Sequence, residues 1–212
     1  MKDIIIVCAG TYGREALYMV NEHNRLADAY KKERPYRLLG FIDDNLEAFK
    51  GTDIQVPIIG RIEDWKPMGN EYYIIGSAFP ELKVKLSILL KGRGCRFETI
   101  IAPWSMVSDD VIMGEGCFIT AHSISAGVKL GNFVNINGSM ITPGAVIDDY
   151  STITGFAVVE AAHIGKRVFV GSHAVVSEGV SVGDDAQVSV GSIVNTDVKE
   201  GTTVFGVPAA VI

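Results

Sequence analysis

The sequence predicts two dissimilar halves: a parallel α/β domain over residues 1–105, then a hexapeptide β-helix over residues 106–212. Two observations carry this. In the first half, short apolar runs alternate with segments of helical spacing, the pattern of a parallel sheet crossed by helices. From Ile112 onward an aliphatic or aromatic residue returns every sixth position: Ile112, Phe118, Ile124, Leu130, Ile136, then Ile141, Ile147, Ile153, Val159, then Ile164, Val170, Val176, Val182, Val188 and Val194. Only the steps from Ile136 to Ile141 and from Val159 to Ile164 are short. A six-residue period suits neither a 3.6-residue helix nor an alternating strand. It is the period of three short strands closing one coil of about eighteen residues.

The elements of the first half follow in order. Asp3–Cys8 is a continuous apolar run that ends at Ala9-Gly10-Thr11-Tyr12-Gly13. A helix is expected over Arg14–Asn21, with Ala16, Leu17 and Val20 at helical spacing. Arg37–Ile42 is a second run, closed by Asp43-Asp44-Asn45, and Tyr72–Ile75 is a third, closed by Gly76-Ser77. Pro80 suits a first helical turn, and Glu81–Lys91 places Leu82, Val84, Leu86, Leu89 and Leu90 largely on one side. Phe97–Ile101 is a fourth run, and Pro103-Trp104 leads into the repeats without a flexible linker.

In the repeats, stacked strands would lie about 4.8 Å apart. Gly131, Gly165, Gly171 and Gly183 follow inward members of the period, where tight corners favour glycine's free φ. Gly201–Ile212 breaks the period and is expected to cross the open end of the coil, hiding a sheet edge. The faces between Gly127 and Val159 carry few charges. Ile141, Val146 and Val158 are therefore expected to meet other copies in a closed three-fold homotrimer.

Composition excludes several classes. A net charge of −6 with no basic run argues against a nucleic-acid partner. Apolar runs such as Ile4–Ala9 are too short to span a membrane, and the N-terminal one leads into a glycine turn rather than a cleavage site. Cys8, Cys95 and Cys117 are an odd set without CxxC spacing, as expected of reduced thiols in a cytoplasmic protein.

Two features of the first half are candidate binding elements. The turn at Gly10, Thr11 and Tyr12 brings backbone N–H groups and a helix N-terminus together, which suits an anion or ribose; it also reads as a turn that packs helix on strand. Asp43 and Asp44 end the second strand, where open α/β sheets bind ligands; they read equally as a solvated turn.

Strand–AGxxG–helix, GFIDDN over Gly40–Asn45, a strand ending in IGS, hexapeptide coils and the tail FGVPA occur here in that order. Together they make the chain resemble, over essentially its whole length, the bacterial sugar acetyltransferases of the bacillosamine N-acetyltransferase and sialic acid O-acetyltransferase type. The resemblance implies a Rossmann-like N-terminal domain that binds a nucleotide-linked amino sugar through Gly10, Thr11, Tyr12, Asp43, Asp44 and Gly76. It implies a left-handed parallel β-helix, a homotrimer, and acetyl-CoA in the groove between neighbouring helices. There the cofactor would meet Thr152, Gly171, Ser172, Ser189, Val190, Gly206 and Pro208.

The sequence departs from that family at one place. The family's catalytic histidine, followed by Asp or Glu, falls by register on Pro143 and Gly144, a second histidine falls at Thr152, and the tail lysine at Ala210. None of these residues moves a proton, and losing a general base typically costs about 10²–10⁴-fold in rate. The chain is therefore expected to be an acetyltransferase with a weakened or relocated base, or a non-catalytic nucleotide-sugar-binding or assembly protein on the same scaffold. Glu160 and His163 are the candidate substitutes, each also readable as structural. His23 is expected at the surface, His122 on a coil corner, His173 within a coil and pointing outward, and Asp148 and Asp149 as turn residues. His122, His163 and His173 are 41 and 10 residues apart, neither a whole number of coils, so no zinc site is expected.

Overall fold

The computed structural model describes residues 1–212, and the chain divides into two units, one of residues 1–78 with 82–103 and the other of residues 104–212 with 79–81. The N-terminal unit holds β1 (Lys2–Val7), α1 (Thr11–Ala29), β2 (Tyr36–Ile42), β3 (Ile58–Gly60), β4 (Tyr72–Ile75), all but the first two residues of α2 (Pro80–Lys91), and β5 (Arg96–Phe97). Ile4 to Val7 have no exposed surface. A strand covered on both faces is apolar at every position rather than at alternate ones. Its neighbours are β2 and β4, both parallel, and the full sheet runs β3-β2-β1-β4-β5 with every pair parallel. The short β3 has no strong sequence signal. α1 extends to Ala29, past the expected Asn21, because Ala27 keeps the buried face going and Arg25 pairs with Glu22 one turn back.

The second unit is a β-helix of three parallel faces. The first stacks Met106–Val107, Ser123–Ile124, Met140–Ile141, Val158–Val159, Val175–Val176 and Ile193–Val194. The second stacks Ile112–Met113, Lys129–Leu130, Val146–Ile147, His163–Ile164 and Ser181–Val182. The third runs from Phe118–Thr120 through Asn135–Asn137, Thr152–Ile153, Phe169–Val170 and Gln187–Val188 to the tail. On the first two faces the second residue of a strand is generally the more buried and the first the more exposed, whereas on the third face Phe118, Asn135 and Thr152 are buried as well. Ile141 is thus fully buried, and Met140 takes the outward place.

The first coil corrects the reading of the period. Ile119, not Phe118, stands in line with Ile136, and Ile112 is 61% exposed. The inward members there are Met113 and Ile119, so a third short step falls between Ile119 and Ile124. Paired residues are accordingly 17 apart in some coils (Ser123 and Met140) and 18 apart in others (His163 and Ser181).

The corner glycines also have a different cause from the one expected. Gly131, Gly165, Gly171 and Gly183 have ordinary φ, whereas Phe133, Tyr150, Phe156, Arg167, His173 and Asp185 take the left-handed conformation. The glycines are required by space: a Cβ on Gly131 would lie 2.4 Å from the Asp149 carboxylate of the next coil. The left-handed residues each cost about 1–2 kcal/mol. Stacking on the next coil offsets this, as in the parallel rings of Phe133 and Tyr150, 5.2 Å apart, or the paired bonds of Arg167 to Asp185.

The tail does not cross the open end. Thr203–Gly206 extends the third face beside Gln187–Val188, and Ala209–Val211 returns antiparallel to it.

Candidate functional site

The glycine turn after β1 is shaped by close approach. A Cβ on Gly13 would stand 1.9 Å from the Cys8 carbonyl oxygen, and one on Gly76 would stand 2.5 Å from the Gly13 Cα. Gly76, expected to contact substrate, is buried, and its N–H donates to the Val7 carbonyl; it is a packing residue. Gly10 and Thr11 are exposed at the start of α1, whose first turn carries no acidic residue and no side-chain cap. The positive end of the helix dipole is open there. Tyr12 is half-buried, and burial raises its phenol pKa, with Glu15 adding to the effect.

The acidic pair is more structural than expected. The Asp43 carboxylate accepts the Ala9 N–H at 2.7 Å and the Asn45 N–H at 2.8 Å, so it ties the glycine turn to the end of β2. Asp44 is exposed and accepts the Glu63 N–H at 3.1 Å. Both acids line a pocket of about 490 Å³ with Cys8, Glu63, Lys85 and Leu86. The Cys8 thiol is pushed up to about 12, first by burial and then by Asp43 and Asp44, which removes it as a nucleophile at neutral pH. Asp43→Ala leaves the buried Ala9 N–H unpaired. It is expected to cost about 1–3 kcal/mol of stability, read as a lower urea midpoint, while Asp44→Ala shifts that midpoint far less.

At the corner between Met140–Ile141 and Val146–Ile147, Pro143 and Gly144 are exposed and carry no titratable group. The Thr142 hydroxyl oxygen accepts the Ala161 N–H at 3.0 Å, fixing the corner of the next coil above it. Glu160 on that corner is half-buried, and its carboxylate has no hydrogen-bond or ion-pair partner. His163 begins the following strand, exposed, and its Nε2–H donates to Asp148 Oδ2 at 2.8 Å. A carboxylate only accepts, so in the neutral imidazole this bond places the proton on Nε2 and makes Nδ1 the acceptor.

Asp148 and Asp149 differ in role. Asp149 accepts the Asn132 N–H at 2.6 Å, as Asn132 accepts that of Glu115 and Asp184 that of Lys166, each tying a corner to the preceding coil. Asp148 stands outside this ladder, so its reading as a turn residue is revised. The signal for it was present in the sequence: the same place is Gly114, Gly131, Gly165 and Gly183 in the other coils that have a coil stacked on them.

The remaining histidines separate cleanly. His122 is exposed on a corner, and His173, also exposed, lies against Phe156 with ring centres 5.3 Å apart. His23 is not a free surface residue: its Nε2 is 2.8 Å from the Ile101 carbonyl oxygen, and its ring meets Tyr36 edge-on.

Along the corner between the third and first faces, Ser172 is half-exposed and Val190 is 61% exposed. No hydrogen bond within the chain uses the N–H of either residue. Ser189 is half-buried with its N–H bonded to Val204. Gly206 donates to the Ser192 hydroxyl at 3.2 Å, and Pro208 is exposed beside it. Two expected cofactor contacts fail on burial. Thr152 has no exposed surface, and Gly171 is buried with its N–H bonded to Val188 and its Cβ space filled by Val190.

Residues 162–196 match the family described as the hexapeptide repeat of succinyl-transferase. Among curated proteins, the galactoside O-acetyltransferase of Escherichia coli is 43% identical over 49 residues, covering 23% of this chain and 24% of that protein. The bifunctional protein GlmU of Acinetobacter baylyi is 28% identical over 183 residues, covering 73% of this chain and 37% of that protein. The chain thus spans well under two thirds of the curated relatives it matches. Among solved structures, the acetyltransferase domain of PglB from Neisseria gonorrhoeae, in complex with acetyl coenzyme A, superposes with a TM-score of 0.81 at 21% identity, covering 100% of this chain and 99% of that one. A GDP-perosamine N-acetyltransferase from Caulobacter crescentus, in complex with CoA and GDP-perosamine, gives 0.81 at 21% identity over 100% and 97%. WeeI from Acinetobacter baumannii gives 0.63 at 20% identity over the full length of both chains. The chain is a hexapeptide-repeat β-helix protein. Its fold is shared with the acetyltransferase domain of PglB and with the GDP-perosamine N-acetyltransferase.

Proposed function

We propose that this chain is an acetyl-CoA-dependent acetyltransferase acting on an amino group, or else a hydroxyl, of a nucleotide-linked sugar. It works as a homotrimer in the cytoplasm. The observation that carries this reading is the end-to-end likeness in fold to PglB and to the perosamine enzyme, both seen with a CoA species and one with a GDP-sugar. The strand order β3-β2-β1-β4-β5 supports a Rossmann-like reading of residues 1–105, whose ligand would sit beyond the carboxyl ends of β1 and β2, near the pocket of Asp43 and Asp44. The exposed turn at Gly10, Thr11 and Tyr12 would meet phosphate or ribose.

The free N–H groups of Ser172 and Val190 suit the carbonyls of a pantetheine arm running past Ser189 towards Gly206 and Pro208. The outward positions of the first face are Met106, Ser123, Met140, Val158, Val175 and Ile193. None is charged, and Met106, Met140 and Ile193 are 59%, 45% and 38% exposed. An uncharged sheet face of this length is what a symmetric interface needs. No helix is long and apolar enough to cross a membrane.

The exposed Pro143–Gly144 corner favours a second reading, a nucleotide-sugar-binding protein that retains the scaffold without turnover. A thiol-release assay with acetyl-CoA and a panel of nucleotide-linked 4-amino sugars separates the two. Sugar-dependent release above the hydrolysis background is the expected result. Calorimetric binding of both ligands without release would establish the binding protein, and binding of neither would end the acetyltransferase reading.

A further inference from the structure

We propose that His163 and Asp148 form the proton-transfer pair of this protein, in place of the vacant Pro143–Gly144 corner. His163 would be the general base and Asp148 its positioning residue. The inference rests on the acetyltransferase reading and adds to it the identity of the base.

Three independent observations converge on the pair. First, the geometry is that of an oriented base. The 2.8 Å bond from Nε2 to Asp148 Oδ2 fixes both the tautomer and the ring plane, leaving Nδ1 as the acceptor. Glu160, the other candidate, has no group to orient it. Second, the position is right. His163 pairs in register with Val146, the first residue of the strand that leaves the Pro143–Gly144 corner, so the imidazole stands one coil further along the face that begins at that corner. It is exposed, as a group that must reach a ligand has to be.

Third, Asp148 occupies a place where the fold otherwise demands glycine. A Cβ on Gly114, Gly131 or Gly165 would come within 2.6 Å of the Asn or Asp that caps back from the next coil, and one on Gly183 within 2.5 Å of the Glu200 N–H. Opposite Asp148 the next coil presents Lys166, whose side chain does not cap back. Of the places here that have a coil stacked on them, this one alone carries a side chain. The residue found there is a carboxylate, and that carboxylate holds His163. A generic corner would need neither.

The step balances without any further reactant. The sugar amine nitrogen forms a bond to the acetyl carbonyl carbon, and its proton passes to His163 Nδ1. Collapse of the tetrahedral intermediate breaks the carbon–sulfur bond. The departing thiolate takes the proton from the imidazolium, returning His163 to its neutral form with Nε2–H still on Asp148. The carboxylate stabilises the imidazolium while it lasts and is not itself protonated.

The test uses the full chain with acetyl-CoA and whichever nucleotide-linked amino sugar supports thiol release. His163→Ala is expected to lower kcat by about 100-fold or more, with KM for acetyl-CoA changed by less than about threefold and the melting curve unmoved. Added imidazole should restore part of the rate, which no structural role predicts. Asp148→Asn should lower kcat by about tenfold in the wild-type background and have no further effect in the His163→Ala background, because a positioning residue acts only through its base. Turnover that survives His163→Ala within twofold overturns the pair while leaving the acetyltransferase reading intact, as do effects of the two substitutions that simply multiply. Wild-type protein that binds acetyl-CoA but never turns it over also overturns the pair. Wild-type protein that neither binds nor consumes acetyl-CoA overturns both the pair and the reading it rests on.

Discussion

Gly13→Ala is expected to unfold the N-terminal unit, while Gly10→Ala, three residues earlier, barely disturbs it. The added methyl at Gly13 would lie 1.9 Å from the Cys8 carbonyl oxygen and 3.4 Å from the Phe41 ring. The oxygen belongs to backbone, so it cannot turn aside as the end of a flexible side chain would. Relief requires lifting α1 off β1, and that opens the contacts of Ala16, Met19 and Val20, all fully buried. Moving three such side chains out of van der Waals contact places the loss at about 4 kcal/mol or more, the range in which single substitutions become exceptional. At Gly10 a Cβ meets nothing within 4 Å and φ is −71°, so alanine fits there, and the change is expected to stay below about 1 kcal/mol. Urea denaturation followed by circular dichroism decides it. A Gly13→Ala midpoint equal to that of Gly10→Ala would show that the helix can shift without loss.

Gly13 also shows what the sequence made legible and what it hid. The turn AGTYG was readable as a strand-to-helix passage. That the last glycine serves contact with a carbonyl, and that Gly76 then packs on Gly13, depends on two strands meeting from distant parts of the chain. The six-residue period behaved the same way. It named the β-helix and located two of the three short steps, because apolar residues at inward positions are required for any coil to close. It misplaced the first coil, where both Phe118 and Ile119 are buried and Ile112 is an exposed apolar residue. Apolar character there does not distinguish inward from outward, and only strand register does.

The candidate site was legible in part for the same reason. His163 could be singled out as a titratable group near a vacated corner, but its partner could not. Asp148 is fifteen residues away, and the pairing appears only when the coils are stacked, which sets Val146 beside His163 and brings Asp148, two residues on, within reach of its ring. Asp43 was misjudged in the opposite direction. Asp-Asp-Asn is ordinary turn chemistry, and nothing local reveals that one of its oxygens holds the Ala9 N–H, 34 residues away. A role set by a neighbour in sequence is legible from the sequence in a way that a role set by a neighbour in the stack is not.

Met140→Lys combined with Val158→Lys is expected to convert a trimer into monomers without unfolding the chain. Both side chains stand at outward places on the first face, Met140 45% exposed and Val158 half-buried, so within one chain the lysines reach water at small cost. In a closed three-fold assembly the same face would be covered. Each interface would then have to bury ammonium groups with no carboxylate among the outward residues of that face to receive them. An unpaired charge taken out of water costs several kcal/mol even after relaxation, enough to move a dissociation constant by orders of magnitude. The contrasting change is Ile141→Ala, one residue along the same strand but fully buried. It should cost about 2–5 kcal/mol of folding stability through its cavity and leave the oligomer unchanged among the molecules that remain folded. Sedimentation velocity on the three proteins gives the answer. A double-lysine variant that still sediments as a trimer would move the interface to another face, and a wild-type monomer would remove it altogether. In the second case the exposed methionines of the first face would need a different partner, because a face this long without a charge is too apolar to be left facing water.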